Sequence, residues 1–326
     1  MARPAAGPDT INGVNPTETQ PLDECVAAPT AARLRASEWI IVAYATYVVI
    51  LAVACGRPAA TFPMLLVAPA LYAAAYAEAR TQSLAWSVFR DWMPASMVLF
   101  AYLTVQRFDG IHAPLSWGGQ LLDWDRALLD GFGARTLIES LGAFLPSLLE
   151  AFYSLLYAVP PLAIGALYLS YRRERADQFH FTFLLGTLTA YALLPHFPLP
   201  SPRVAFPGVD LPTIETVFRR FNLWLLDRWD IQTSVFPSGH VAVGFSCAFA
   251  MLRALPEKRW VAGILFVHAS LVFVATFYGR YHYVADGLAS IGIATAAFLA
   301  AGALRGRNGS TDPSRDPSPD SSGSPR

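Results

Sequence analysis

Two histidine-bearing stretches carry the chemistry in this sequence: Phe236-Pro237-Ser238-Gly239-His240 and Gly279-Arg280-Tyr281-His282-Tyr283-Val284-Ala285-Asp286. His282 and Asp286 stand four apart, the spacing that puts both on one helical face. The carboxylate is therefore expected to hold the imidazole by its Nδ1–H and to leave the other ring nitrogen free. A free neutral nitrogen can attack phosphorus and form a phosphohistidine, which splits one hard substitution into two easier ones. The leaving oxygen of a phosphoester needs a proton, and His240, at the expected start of another helix, is suited to supply it as general acid. Helix starts also favour anions, through their free backbone N–H groups and the positive end of the dipole. Gly239 is expected to let backbone amides approach a phosphate and Ser238 to add a hydroxyl donor, while Arg203 and Arg280 are the candidates for bidentate binding of its oxygens. His112, His180 and His268 read as packing or hydrogen-bonding residues.

About forty mostly apolar residues separate the two stretches, enough for two membrane-spanning helices of roughly 20 residues each and a tight connection. Both stretches would then surface on one side. The composition agrees: 54% of the 326 residues are hydrophobic and only 15% charged, against about 25% charged in soluble domains. Formal net charge is zero, and Lys258 is the sole lysine, which argues against a nucleic-acid surface. Cys25, Cys55 and Cys247 lie far apart and offer neither a disulfide framework nor a zinc spacing. The first apolar run begins only near Trp39, so no signal peptide is expected.

Eight candidate spans follow, at about 38–55, 62–78, 92–108, 147–171, 179–195, 239–255, 260–278 and 283–304. Pro63, Pro69 and Pro94 interrupt the second and third. Arginine and lysine recur in alternate connections, at Arg33 and Arg35, Arg80 and Arg90, Arg172 to Arg175, Arg253 to Arg259, and Arg305 and Arg307. These connections and both termini are therefore expected in the cytoplasm, with 109–146, 196–238 and 279–282 outside. Residues 1–32 and 308–326 read as disordered tails around a membrane domain at 33–307. Ile214, Val217, Phe218, Phe221 and Leu225 recur at helical spacing opposite Arg219, Arg220 and Asp227, the pattern of a helix lying in the membrane interface.

Pro237-Ser238-Gly239-His240 followed by His282-x-x-x-Asp286 resembles the second and third signature motifs of the type 2 phosphatidic acid phosphatase superfamily. That family's first motif is a lysine, six residues, then Arg-Pro; here His196 stands in the lysine place, seven residues before Arg203, and Val204 in the proline place. The third motif's upstream arginine falls at Thr276, with Arg280 only two residues before His282. The Pro-rich approach to Arg203 and the segments Asp123-Trp124-Asp125-Arg126 and Glu150-Ala-Phe-Tyr153 are similar to the inositol phosphorylceramide synthase-like branch. The resemblance spans roughly 90–304.

It implies an all-α integral membrane protein, a bundle of about eight transmembrane helices around a phosphatidic-acid-phosphatase-type six-helix core. It further implies a phosphotransferase or phosphatase that uses His240, His282 and Asp286 catalytically and Arg203, Ser238, Gly239, Arg280 and His196 on the phosphate, with no metal or other cofactor. The expected partners are a lipid phosphate or phospholipid substrate, an inositol-like acceptor or water, and the surrounding lipids of the cell membrane. The competing class is a transporter whose histidines line a polar pathway; such folds commonly carry internal repeats, and none is visible here.

Overall fold

The computed structural model describes residues 31–57, 62–108, 116–229, 231 and 234–309, with side chains to 304. The expected tails, apart from a few residues at their inner edges, lie outside the described residues, as does His112. Among the described residues the elements are helical: α1 (Ala36–Ala54), α2 (Phe62–Thr81), α3 (Leu84–Val105), α4 (Gly118–Arg126), α5 (Ala134–Glu139), α6 (Phe144–Leu169), α7 (Ala176–Leu193), α8 (Val217–Trp229), α9 (Gly239–Ala254), α10 (Arg259–Tyr278) and α11 (Val284–Gly309). A long helix occupies each of the eight expected spans. By length and composition alone, α1, α2, α6, α11 and the stretch Pro256–Tyr278 qualify to cross a membrane, and α9 is a shorter apolar helix. The chain is an all-α, multi-pass membrane protein.

The third span differs from its expected limits. It begins at Leu84, where the Ser83 hydroxyl accepts from Ala85 N and caps the helix, and Pro94 sits inside it without ending it. The helix thereby carries Arg90 and Asp91 into the packed end of the bundle, where both are buried. They are tolerated because they are paired: Arg90 Nε donates to Glu38 at 2.7 Å, and Asp91 receives Arg35, Arg173 and the Tyr168 hydroxyl, each at 2.6 Å. Unpaired, such charges in a low-dielectric interior would each cost several kcal/mol. Glu78 of α2 receives Arg90 at 2.5 Å and Asp177 of α7 receives Ser37 N at 2.9 Å, so this polar knot ties α1, α2, α3, α6 and the start of α7 at the end opposite the two histidine motifs.

Helix α9 is the central post, packed by α7, α10 and α11. Small residues permit those close crossings, as expected where lipid supplies no hydrophobic drive between helices. A side chain added at Gly186 of α7 would meet the Ser246 hydroxyl at 2.2 Å, and one at Gly244 would meet Ala269 at 3.1 Å. The α7 and α10 C-termini and the α9 and α11 N-termini come together at one end of the bundle, so the Arg203, His240 and His282 segments share a face.

Helix α8 forms where expected, with Val217, Phe218 and Phe221 of its apolar face exposed. Arg219, which spacing set opposite that face, is buried together with Asn222. The reason lies on α6: the carboxylate of Glu150, 1% exposed, needs donors, and Arg219 and Asn222 supply them at 3.1 and 2.7 Å.

Candidate active site

The two histidine motifs are laced together through their backbones. Ser238 N donates to Asp286 O at 3.1 Å, and the Ser290 hydroxyl lies 2.8 Å from Ser238 O and 2.9 Å from Asp286 O. Ser238 also caps α9, its hydroxyl accepting from Val241 N at 3.4 Å, which sets His240 in the first turn with the helix's free N–H groups beside it. Gly239 has a further reason to lack a side chain beyond the expected approach of a ligand: a Cβ there would stand 2.9 Å from the Tyr191 ring of α7.

The rings of His240 and His282 are 5.9 Å apart, edge to face. His282 is not on the helix with Asp286, as the four-residue spacing suggested, because α11 starts only at Val284. The pair forms across the helix's first turn instead: Asp286 Oδ2 accepts from Tyr283 N at 3.0 Å and lies 3.3 Å from His282 Nδ1. The nearer acceptor for Nδ1 is the Val235 carbonyl at 3.0 Å, a residue just ahead of the first motif that spacing did not single out. Either partner leaves Nε2 of His282 uncommitted. Asp286 is fully buried and its Oδ1 has no hydrogen-bond partner.

His240 is held differently, by aromatic rings. Tyr153 of α6 stacks on it at 4.5 Å between centroids, and the Tyr157 hydroxyl lies 3.2 Å from Nε2. An apolar recess bounded by Val98, Leu99, Tyr102 and Tyr157 opens directly on Gly239 and His240. A second recess shares Leu99, Tyr102 and Tyr157 with it and continues to Leu226 and Trp229 of α8. Leu99 and Trp229 are about half exposed.

Both arginines reach this end of the bundle. Arg203 follows the Pro-rich approach in a single helical turn, Pro202–Ala205; its backbone N donates to Arg280 O at 3.2 Å and its guanidinium to Asp227 of α8 at 3.1 Å. Arg280 adopts a left-handed backbone conformation, φ +67°, and is fully buried. One of its nitrogens pairs with Asp125 at 3.3 Å, while Nε and Nη2 have no hydrogen-bond partner. Unfilled donors on a buried guanidinium fit an oxyanion. Burial also lowers the Arg280 pKa from its ordinary value, against the pull of Asp125. His196 goes elsewhere: it is exposed, and its Nε2 meets the Tyr47 hydroxyl of α1 at 2.8 Å.

Two residues from the flagged upstream segments prove to be braces. Asp125 of α4 accepts from Val284 N at 3.0 Å and so caps α11, besides pairing with Arg280. Glu150 of α6 receives Arg219, Asn222 and, at 2.7 Å, the Tyr281 hydroxyl. Among the described residues no three His, Cys, Asp or Glu side chains cluster in a way that would hold a metal ion.

The family profile of the PAP2 superfamily matches residues 119–300. A PA-phosphatase related-family protein of Dictyostelium discoideum is 34% identical over 101 residues, 29% of this chain and 18% of that protein. The match thus spans less than a fifth of the curated relative's length. No solved structure matches the chain.

Proposed function

The chain belongs to the PAP2 superfamily, and from that premise we propose that it cleaves a lipid phosphoester in two steps through a phosphohistidine on His282. Nε2 of His282 attacks phosphorus; the bond from phosphorus to the lipid oxygen breaks as His240 gives that oxygen a proton. His240, now neutral, takes a proton from the incoming acceptor, whose oxygen attacks phosphorus and releases His282. Ser238, the α9 N-terminus, Arg203 and Arg280 balance the charge on the phosphoryl oxygens. His196, turned to Tyr47, is left out of that cradle. The reading rests above all on one observation: a histidine whose Nδ1 is committed to Val235 and Asp286 has its ring centroid 5.9 Å from that of a second histidine at a helix start.

The apolar recess beside His240 supports a lipid as the leaving group. Water as acceptor gives a lipid phosphate phosphatase; an inositol-like alcohol gives a phosphotransferase of the inositol phosphorylceramide synthase-like kind, which the Asp125 and Glu150 segments favour. Both use the same intermediate. The arginine-rich connections support a topology with the ionic knot in the cytoplasm and the histidines on the extracytoplasmic face of the cell membrane. The test supplies purified protein with phosphatidate and with phosphatidylinositol or an inositol-containing phospholipid, with and without free inositol. Inositol-independent release of inorganic phosphate identifies the phosphatase, inositol-dependent headgroup movement the transferase, and neither product overturns the proposal.

A further inference from the structure

The proposed general acid is held by two tyrosines, with neither a carboxylate nor a carbonyl of the described residues on its ring. His282 is fixed by a carbonyl, a carboxylate and its own backbone N–H to Thr276 O at 3.1 Å. The side-chain contacts of His240 come from aromatic residues instead: Tyr153 stacks on it with its hydroxyl 3.5 Å from Nδ1, Tyr157 stands edge-on with its hydroxyl 3.2 Å from Nε2, and His282 lies edge to face. An imidazole that must present one nitrogen to a leaving oxygen depends on those rings for its direction, since a small displacement degrades proton transfer.

Tyr153 is itself held from behind. Its ring packs on Tyr281 at 4.7 Å, and the Tyr281 hydroxyl donates to Glu150 Oε2 at 2.7 Å. Glu150 lies one helical turn before Tyr153 on α6, so the same helix that carries the stacking ring carries the anchor of its backing ring. The carboxylate is 1% exposed, with Arg219 on one oxygen and Asn222 and Tyr281 on the other. Two of its three donors come from α8 and the third from the turn before α11. Its chemistry is that of a clamp.

We propose that Glu150 is a positioning residue for His240, acting through Tyr281 and Tyr153. The proposal rests on the reading of His240 as the acid that protonates the leaving lipid oxygen. It separates Glu150 from a residue that merely stabilises the fold, because a loosened acid matters only where the leaving group needs a proton.

The experiment compares full-length protein in lipid nanodiscs on a long-chain phosphatidate and on para-nitrophenyl phosphate, whose leaving group departs without protonation. Tyr281→Phe removes only the hydroxyl that reaches Glu150. Glu150→Gln keeps the shape but turns one accepting oxygen into a donor among donors. Each is expected to lower kcat/KM, which reports the step that expels the leaving group and not the later release of His282, by about tenfold or more on phosphatidate and by less than about twofold on the aryl phosphate; His240→Ala should show the same asymmetry in kcat/KM at about 10² to 10⁴-fold. Thermal unfolding of each variant guards against misfolding, and Tyr281→Phe serves if Glu150→Gln unfolds. Equal losses on both substrates, or no loss in either variant while His240→Ala remains asymmetric, would overturn the positioning role alone. Symmetric loss in His240→Ala would overturn the acid assignment beneath it.

Discussion

Nδ1 of His282 lies 3.0 Å from the carbonyl oxygen of Val235. A carbonyl only accepts, so Nδ1 carries the proton and the lone pair resides on Nε2 whatever the state of Asp286. The carboxylate at 3.3 Å is therefore less a selector of tautomer than a counter-charge for the imidazolium-like ring that forms when phosphorus bonds to Nε2. His282→Ala is expected to abolish turnover on every substrate and to remove the acid-labile label that mapping of radiolabelled protein should find on residue 282. Asp286→Asn should lower kcat on the order of 10²-fold, short of the roughly 10⁴-fold seen where a triad loses its tautomer. Nitrogen NMR of labelled histidine checks the point: Nδ1 protonation at His282 that survives Asp286→Asn supports it, and label on His240 reverses the assignments.

Leu99 of α3 borders both apolar recesses and is about half exposed. Filling that junction with Leu99→Trp is expected to raise KM or lower kcat for a long-chain phosphatidate by about tenfold, while para-nitrophenyl phosphate, which has no chain to seat, is turned over at the parent rate. Parallel kinetics on the two substrates measure this. Unchanged kinetics on the long-chain lipid would mean that the chain runs elsewhere.

Asp210 sits on the same end of the bundle as the histidines and pairs with Arg126 of α4 at 2.6 Å. With the native cysteines replaced, a cysteine at position 210 should react with an impermeant maleimide added outside intact cells and not with one added outside inverted vesicles, which meets only the cytoplasmic face. The reverse pattern would invert the topology that the arginine alternation supports.

What could be read before the structure was whatever repeats or recurs at fixed spacing. The apolar runs located eight long helices, because twenty residues of hydrocarbon depth leave an unmistakable length in sequence. The two histidine motifs were legible because each is a short contiguous run, with Asp286 only four positions from His282. Partners supplied across the fold were not: Val235 is brought to His282 from 47 positions away and Arg219 to Glu150 from 69. Helical spacing gave α8 its apolar face, but only the Glu150 carboxylate, brought from α6, decides that Arg219 turns in. The misplaced start of α3 has a similar cause, because Arg90 and Asp91 look like a boundary until Glu38, Arg35 and Arg173 pair them.

Asp125 offers a pH test of the brace under the His282 turn. Burial pushes its carboxyl from the ordinary 3.8 up to about 7, against the opposing pull of the Val284 N–H and Arg280. Between those two values the folded protein binds the proton that the unfolded chain has already released, so this group's contribution to stability falls as pH rises through the window and levels off above about 7. The slope cannot exceed about 1.4 kcal/mol per pH unit for one proton. Asp125→Asn keeps an oxygen to accept from Val284 N and has no proton to lose. The unfolding temperature of the parent protein should therefore drop more than that of Asp125→Asn between pH 5 and pH 8, with the two curves diverging chiefly below about pH 7. Parallel curves would show that Asp125 does not titrate in this range, and a parent protein that gains stability relative to the variant as pH rises would mean that the Arg280 pair outweighs burial and holds the carboxyl charged throughout.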